Sequence, residues 1–179
     1  MLVGIAGKIG SGKDECGLYL EKNYGFKVVK FANMIKDIAV MMTGEDYGTQ
    51  TSQVGKQKYL EDWGMTVREF QQRLGTDAVR NGLHQDAWVI ATLRDYTKDK
   101  RWVVTDTRFP NEANKIKALG GINIRVDRQA NPFPESNHPS ETSLDNYTFD
   151  HVISNEGSLN YLAGQVEMFV RSFNITRPT

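Results

Sequence analysis

Short apolar runs alternate with longer amphipathic stretches along the whole chain. Leu2–Ala6, Lys27–Lys30, Trp102–Thr105, Ile122–Val126 and His151–Ser154 read as short strands. Between them lie stretches with helical spacing: Ser11–Tyr24, Ala32–Met42, Thr66–Gly82, Asp86–Lys98 and Pro110–Leu119. The clearest helix follows the last strand, where Leu159, Leu162, Ala163, Val166, Phe169, Val170 and Phe173 share one face. Gly25 stands where a left-handed C-cap is expected, Gly44 breaks the helix before it, and Gly120-Gly121 stops the helix that Pro110 opens. Thr43–Met65 is polar and reads as irregular. Gln129–Tyr147, rich in Pro, Asn and Ser, reads as a loop.

Strands separated by helices pair in parallel through right-handed crossovers. Runs that are apolar throughout, rather than alternating, belong to strands covered on both faces. The expected fold class is therefore α/β, a three-layer doubly wound parallel sheet of five strands with helices on both faces. Such sheets bind ligands beyond the carboxyl ends of their strands.

The strongest chemical signal sits at that place. Gly7-Lys8-Ile9-Gly10-Ser11-Gly12-Lys13-Asp14 fits G-x-x-x-x-G-K directly after a strand and directly before a helix. Its glycines let successive N–H groups turn inward onto phosphate oxygens, the helix N-terminus adds partial positive charge, and Lys13 reaches the β- and γ-phosphates. Asp14 stands where phosphate loops usually carry Ser or Thr. It either ligates magnesium or stabilises the start of the helix. A second acid, Asp106, lies at the carboxyl end of the third strand, placed to ligate magnesium through water or to meet an acceptor's hydroxyl or phosphate. Arg108 follows at the mouth of the same cleft. Phosphoryl transfer depends on positioning and charge neutralisation, so arginines are the expected tools. Arg68, Arg73, Arg80, Arg108, Arg125 and Arg128 are the candidates.

Composition removes several other classes. With 22 basic and 22 acidic residues the formal net charge is zero, which lacks the general basic field of a duplex-binding module. The single cysteine, Cys16, excludes an internal disulfide framework and a Cys-based zinc site, and a reducing cytoplasm is the expected compartment. The longest purely apolar run, Ile38–Met42, is too short to span a bilayer. His84, His138 and His151 lack metal-ligand spacing, and the chain holds no G-x-S-x-G elbow. Thr97-Lys98-Asp99-Lys100 fails as a guanine reader.

Beyond the local motif, Gly10-Ser11-Gly12-Lys13-Asp14 resembles the phosphate loop of bacteriophage deoxynucleoside monophosphate kinases. Further blocks are similar in the same order. They are Phe31-Ala32 with Lys36, Leu74-Gly75-Thr76-Asp77, Trp88-Val89, Thr105–Ala113, Leu119-Gly120-Gly121 with Ile124-Arg125-Val126, Ser140-Glu141, and Asp150 to Leu159. The resemblance covers roughly residues 2–170 and departs from the family at Thr43–Met65 and at Ile9, where relatives often carry a basic residue. It implies a P-loop kinase fold, ATP as donor, Mg²⁺ as cofactor and a deoxynucleoside monophosphate as acceptor. By matching position it implies that Gly10, Ser11, Gly12, Lys13, Asp14 and Glu15 hold ATP phosphates or magnesium, with Asn155 and Gly157 near adenine. The acceptor would be surrounded by Lys36, Arg68, Gly75, Thr76, Trp88, Asp106, Arg108 and Glu112. Lys13, Asp106, Arg108 and Arg128 would carry catalysis, and Asp14 and Asp106 would meet the metal. A single kinase domain is implied, with an acceptor-binding helical region at about 32–98 and a lid at about 127–147. A homodimer is compatible with it but not derivable.

Two other readings stand beside this one. Phosphomevalonate kinase shares Ser-Gly-Lys-Asp, Asp-Thr-Arg and the Val-Ile-x-Asn ending, so a different phosphorylated small molecule is an alternative acceptor. A non-catalytic nucleotide sensor is the other.

Overall fold

The computed structural model describes residues 1–129 and 139–178. The chain divides into two compact units, Met1–Lys30 with Asp95–Thr179, and Phe31–Arg94.

The first unit is built on five parallel strands: β1 (Leu2–Ala6), β2 (Lys27–Val29), β5 (Trp102–Val104), β6 (Ile122–Asp127) and β7 (His151–Ser154). Their order is β2-β5-β1-β6-β7, so β1 is the central strand. Leu2 pairs with Trp102 on one side, and Ile5 pairs with Ile124 on the other. All five residues of β1 are buried, as continuous apolar sequence requires. Its side chains divide between two layers. Val3 and Ile5 join Cys16 and Leu20 of α1 (Lys13–Tyr24) and Leu162, Val166, Phe169 and Val170 of α8 (Leu159–Ser172) in the main core. Ala6 faces the other way, packing with Ala113 of α6 (Pro110–Ala118) and with Leu144. The expected five-stranded parallel sheet with helices on both faces is thus present, and the C-caps at Gly25 and Gly44 are left-handed, with φ of 66° and 72°.

Gly17, in the middle of α1, was not marked by its spacing. A Cβ there would lie 2.2 Å from Cγ2 of Thr105. Glycine lets α1 approach the end of β5, and that approach places Thr105 against the start of the helix.

The second unit holds α2 (Ala32–Thr43), α3 (Tyr47–Thr51), a two-stranded antiparallel pair β3 (Tyr59–Leu60) and β4 (Met65–Thr66), α4 (Val67–Gln72) and α5 (Ala87–Leu93). Ala39, Leu60, Val67 and Phe70 form its core. Three sequence expectations need correction. Thr43–Met65 is not irregular. The Asp46 side chain caps α3 by accepting from the Thr49 N–H at 2.9 Å, and Gln50 is fully buried, donating to Thr43 Oγ1 and accepting from Gln71. Thr66–Gly82 is not one α-helix. α4, opened by a Thr66/Glu69 capping box, passes into a π-helical run over Arg73–Asn81. The Trp88 indole N–H donates to the Gly75 carbonyl within this run, at 2.9 Å. The helix expected to Lys98 ends at Leu93.

In the first unit, Pro139–Thr142 forms a short helix, α7, inside the stretch expected to be loop, with Pro at the first position, where its missing N–H costs nothing. No helix among the described residues is long and apolar enough to cross a membrane.

Gly17→Ala is expected to lower stability by about 1–3 kcal/mol, because the added methyl is driven into Thr105 in a packed interior. Chemical denaturation with an unchanged m-value would show it.

Candidate phosphate-transfer site

Local geometry explains why the loop after β1 is glycine-rich. Gly7, Gly10 and Gly12 all have positive φ, at 147°, 74° and 102°. At Gly7 a Cβ would also meet the Val126 carbonyl at 2.4 Å, and at Gly12 it would meet Asn155 Nδ2 at 2.6 Å. Any side chain at these two positions is therefore excluded twice, by backbone conformation and by space. The turn is locked from outside. The buried Asn155 side chain donates to the Ser11 carbonyl at 2.8 Å, and Arg128 Nη1 donates to the Gly10 carbonyl at 3.3 Å. Asn155 is itself held where β7 ends, its N–H donating to the Asp127 carbonyl at 2.8 Å.

Lys13 is buried at the base of the loop, and its Nζ donates to the Lys8 carbonyl at 2.8 Å. Burial, reinforced by the nearby Arg108 charge, lowers its pKa to about 8, against the opposing pull of Glu141, Asp14 and Asp106. An ammonium so poorly compensated gains strongly from an incoming phosphate.

Asp14, at the first turn of α1, does more than stabilise a helix start. Its Oδ1 accepts from Thr105 Oγ1 at 2.8 Å and pairs with Lys30 Nζ at 2.7 Å. Partial burial alone would push this carboxyl up. Hydrogen bonds from Lys30 and Thr105, with the charges of Lys30 and Lys13, outweigh that and hold it below the usual carboxylate range. It is an ionised oxygen donor beside the phosphate loop, the donor type that hard cations take. Among the described residues no cluster of three or more His, Cys, Asp or Glu side chains is arranged for a metal. Such a donor fits a hard divalent cation shared with substrate phosphates and water, rather than a metal caged by protein.

Past β5 the chain turns through buried Thr105, Asp106 and Thr107 into Arg108. The Glu112 carboxylate, 2% exposed, accepts the backbone N–H groups of Arg108 and Phe109 at 2.7 and 3.1 Å. Its place in the structure is at the start of α6, fixing the turn that presents Arg108. The guanidinium pairs with Glu141 at 2.7 Å. Lys8 Nζ donates to the Glu141 carbonyl at 2.6 Å and pairs with Asp145 at 2.8 Å.

The first unit thus brings together Gly10, Ser11, Gly12, Lys13, Asp14, Asn155 and Arg128 around one loop, with Asp106 and Arg108 on the turn after the neighbouring strand and Glu112 in the first turn of α6. Glu15 and Gly157 are solvent-exposed. In the second unit, Trp88 and Gly75 are joined by their hydrogen bond, Thr76 follows Gly75, and Arg68 donates to Gln53 Oε1 at 2.8 Å. Lys36 lies half-buried on α2. Of the segment expected as a lid, 130–138 lies outside the described residues. Residues that spacing missed are Lys30, Thr105 and Glu141. Thr105 and Glu141 carried a signal only as members of blocks of the resemblance, and Lys30 carried none.

Residues 43–166 match the family described as deoxynucleotide monophosphate kinase. A protein of Acanthamoeba polyphaga mimivirus described as a putative deoxynucleotide monophosphate kinase is 31% identical, over 93% of this chain and 94% of its own. The deoxynucleotide monophosphate kinase of Enterobacteria phage T4 is 34% identical over 57% of this chain and 44% of its own, so the chain spans less than half of that relative. Among solved structures, shikimate kinase from Aquifex aeolicus superposes with a TM-score of 0.56 at 11% identity, covering 97% of this chain and 98% of that one, which shows a shared fold.

The Lys13 environment makes a pH-dependent prediction. Below about pH 8 the ammonium is charged and above it neutral, so affinity of the ligand-free protein for pyrophosphate is expected to fall as pH rises through that value. Calorimetric titration across pH 7–9 should show the step, and Lys13→Met should bind weakly with no step. The same lowered pKa means the unfolded chain holds the extra proton between about pH 8 and the ordinary lysine value of 10.5, so this group's contribution to stability rises over that interval.

A phosphate loop with its lysine, an acid and an arginine on the turn after the adjoining strand, and a family match over residues 43–166 converge on one assignment: the chain belongs to the deoxynucleotide monophosphate kinase family.

Proposed function

We propose that the protein transfers the γ-phosphoryl group of ATP to the phosphate of a deoxynucleoside monophosphate, giving a deoxynucleoside diphosphate and ADP. The observation that carries this reading is the convergence, within one unit, of the Lys13 loop and the Asp106–Arg108 turn, in a chain of this family.

The donor's phosphates are read as lying along the loop from Gly10 to Asp14, with Lys13 neutralising charge at the transferred group and Arg128 beside Gly10. Arg108 grips the acceptor phosphate through two parallel donors. Asp106, buried at the same turn, orients the acceptor. Asp14 and Asp106 would hold magnesium beside the donor phosphates, where the ion would supply charge neutralisation. Asn155 acts through the loop backbone by holding the Ser11 carbonyl. Glu15 and Gly157 remain candidates for the donor, and Lys36, Arg68, Gly75, Thr76 and Trp88 for the acceptor. A cytoplasm supplying ATP and deoxynucleotides is the setting this reading calls for.

The test is ADP formation from ATP and magnesium with each of the four deoxynucleoside monophosphates, their ribo-counterparts and phosphomevalonate. Turnover is expected with one or more of the deoxynucleotides and none with phosphomevalonate. Lys13→Ala is expected to lower kcat on the order of 10²-fold or more with the fold intact. Arg108→Lys keeps the charge but loses the fork, and is expected to remain strongly impaired. A folded Lys13→Ala protein with normal turnover would remove the phosphate-loop assignment.

A further inference from the structure

Glu141 lies on α7, far along the chain from the phosphate loop, and its side chain is 10% exposed. Its two carboxylate oxygens are used differently. Oε1 accepts from Arg108 Nη1 at 2.7 Å, and Oε2 accepts from the backbone N–H of Ile9, within the phosphate loop, at 2.9 Å. Ser140 Oγ takes the same Arg108 nitrogen at 3.3 Å. Every side-chain hydrogen bond of Arg108 to the described residues therefore falls on Nη1. A guanidinium carries its donors in a rigid fork, and the edge formed by Nε and Nη2 matches two phosphate oxygens. The structure ties back one corner of the arginine and leaves that edge unused by the described residues.

The surrounding contacts anchor the short helix to the same loop. Lys8 donates to the Glu141 carbonyl and pairs with Asp145, while Leu144 is buried against Ala6 and Ala113. Glu141 is consequently held from its backbone as well as its carboxylate. A side chain fixed in this way can orient a second group without losing its own position.

We propose that Glu141 is a positioning residue for phosphoryl transfer. It holds Arg108 by Nη1 and links it to the Ile9 N–H, so that the open edge of the guanidinium and the phosphate loop keep a set relation to each other. Arg108 then meets the acceptor phosphate already oriented, with its charge partly balanced and its bidentate edge free. The inference rests on the reading of Arg108 as the grip on acceptor phosphate.

Steady-state kinetics of Glu141→Ala, Glu141→Gln, Arg108→Lys and the double variant E141A/R108K, with calorimetric ATP binding, test it. Glu141→Ala is expected to lower kcat on the order of 10-fold or more and to raise the acceptor KM, while ATP affinity stays within about two-fold of wild type. Glu141→Gln should recover part of the loss, since its amide oxygen still accepts one of the two hydrogen bonds. In the Arg108→Lys background the alanine change should add less than about two-fold, because the group it positions is already gone. Wild-type kinetics for Glu141→Ala overturn the inference alone. So does an equal loss in both backgrounds, which marks a structural effect independent of Arg108. Tighter phosphate binding with faster turnover also overturns it, by showing that the carboxylate competes with substrate. Should the alanine variant fail to fold, the nearly isosteric glutamine carries the comparison, with its partial loss expected to vanish in the Arg108→Lys background. Wild-type turnover by Arg108→Lys would remove the reading of Arg108 itself, and this inference with it.

Discussion

A charged lysine enclosed at the base of a glycine turn is the constraint around which the first unit is arranged. Burial disfavours the Lys13 ammonium, and its nearest protein acceptor is one backbone carbonyl. The turn that holds it needs left-handed backbone at Gly12, where the neighbouring Asn155 amide leaves no room for a Cβ. The same amide holds the Ser11 carbonyl, so crowding and support come from one side chain. The site is strained electrostatically and secured sterically, which suits a pocket that receives a highly charged anion.

Around this point the charges form linked pairs rather than isolated groups. Lys30 and Thr105 converge on Asp14, Glu141 on Arg108, and Asp145 on Lys8. None of these is valuable to stability as an exposed ion pair. Their effect is orientation, since each limits the rotamers of a group whose direction matters for phosphate. Glu112 does the same through the backbone, capping α6 and aiming the turn that carries Arg108.

Much of this was legible in the sequence, and the division is physical. All five strands of the main sheet, the cap at Gly25, the break at Gly44, the apolar face of α8 and the phosphate loop each carry a signature within a few residues, and local pattern reports those. What periodicity missed depends on distant partners. The Ile9–Glu141 hydrogen bond spans 132 positions, and the Thr105–Asp14 bond spans 91. Gly17 carries no mark in the local pattern, and its reason lies across the layer in Thr105. The π-helical run from Arg73 also escaped, because helical spacing does not distinguish a coil closed four residues back from one closed five back.

The order of the strands has a consequence for synthesis. β1 is made before its partners β5 and β6, so Leu2 must wait for Trp102 and Val3 for Ile122. This strand is apolar along its length and stays unpaired while about a hundred residues are added. Asn155, which secures the phosphate turn from outside, arrives later still. Translation therefore makes the phosphate loop well before the side chain that supports it. A nascent chain halted before the final strand would carry the whole motif and lack the amide that holds it in shape.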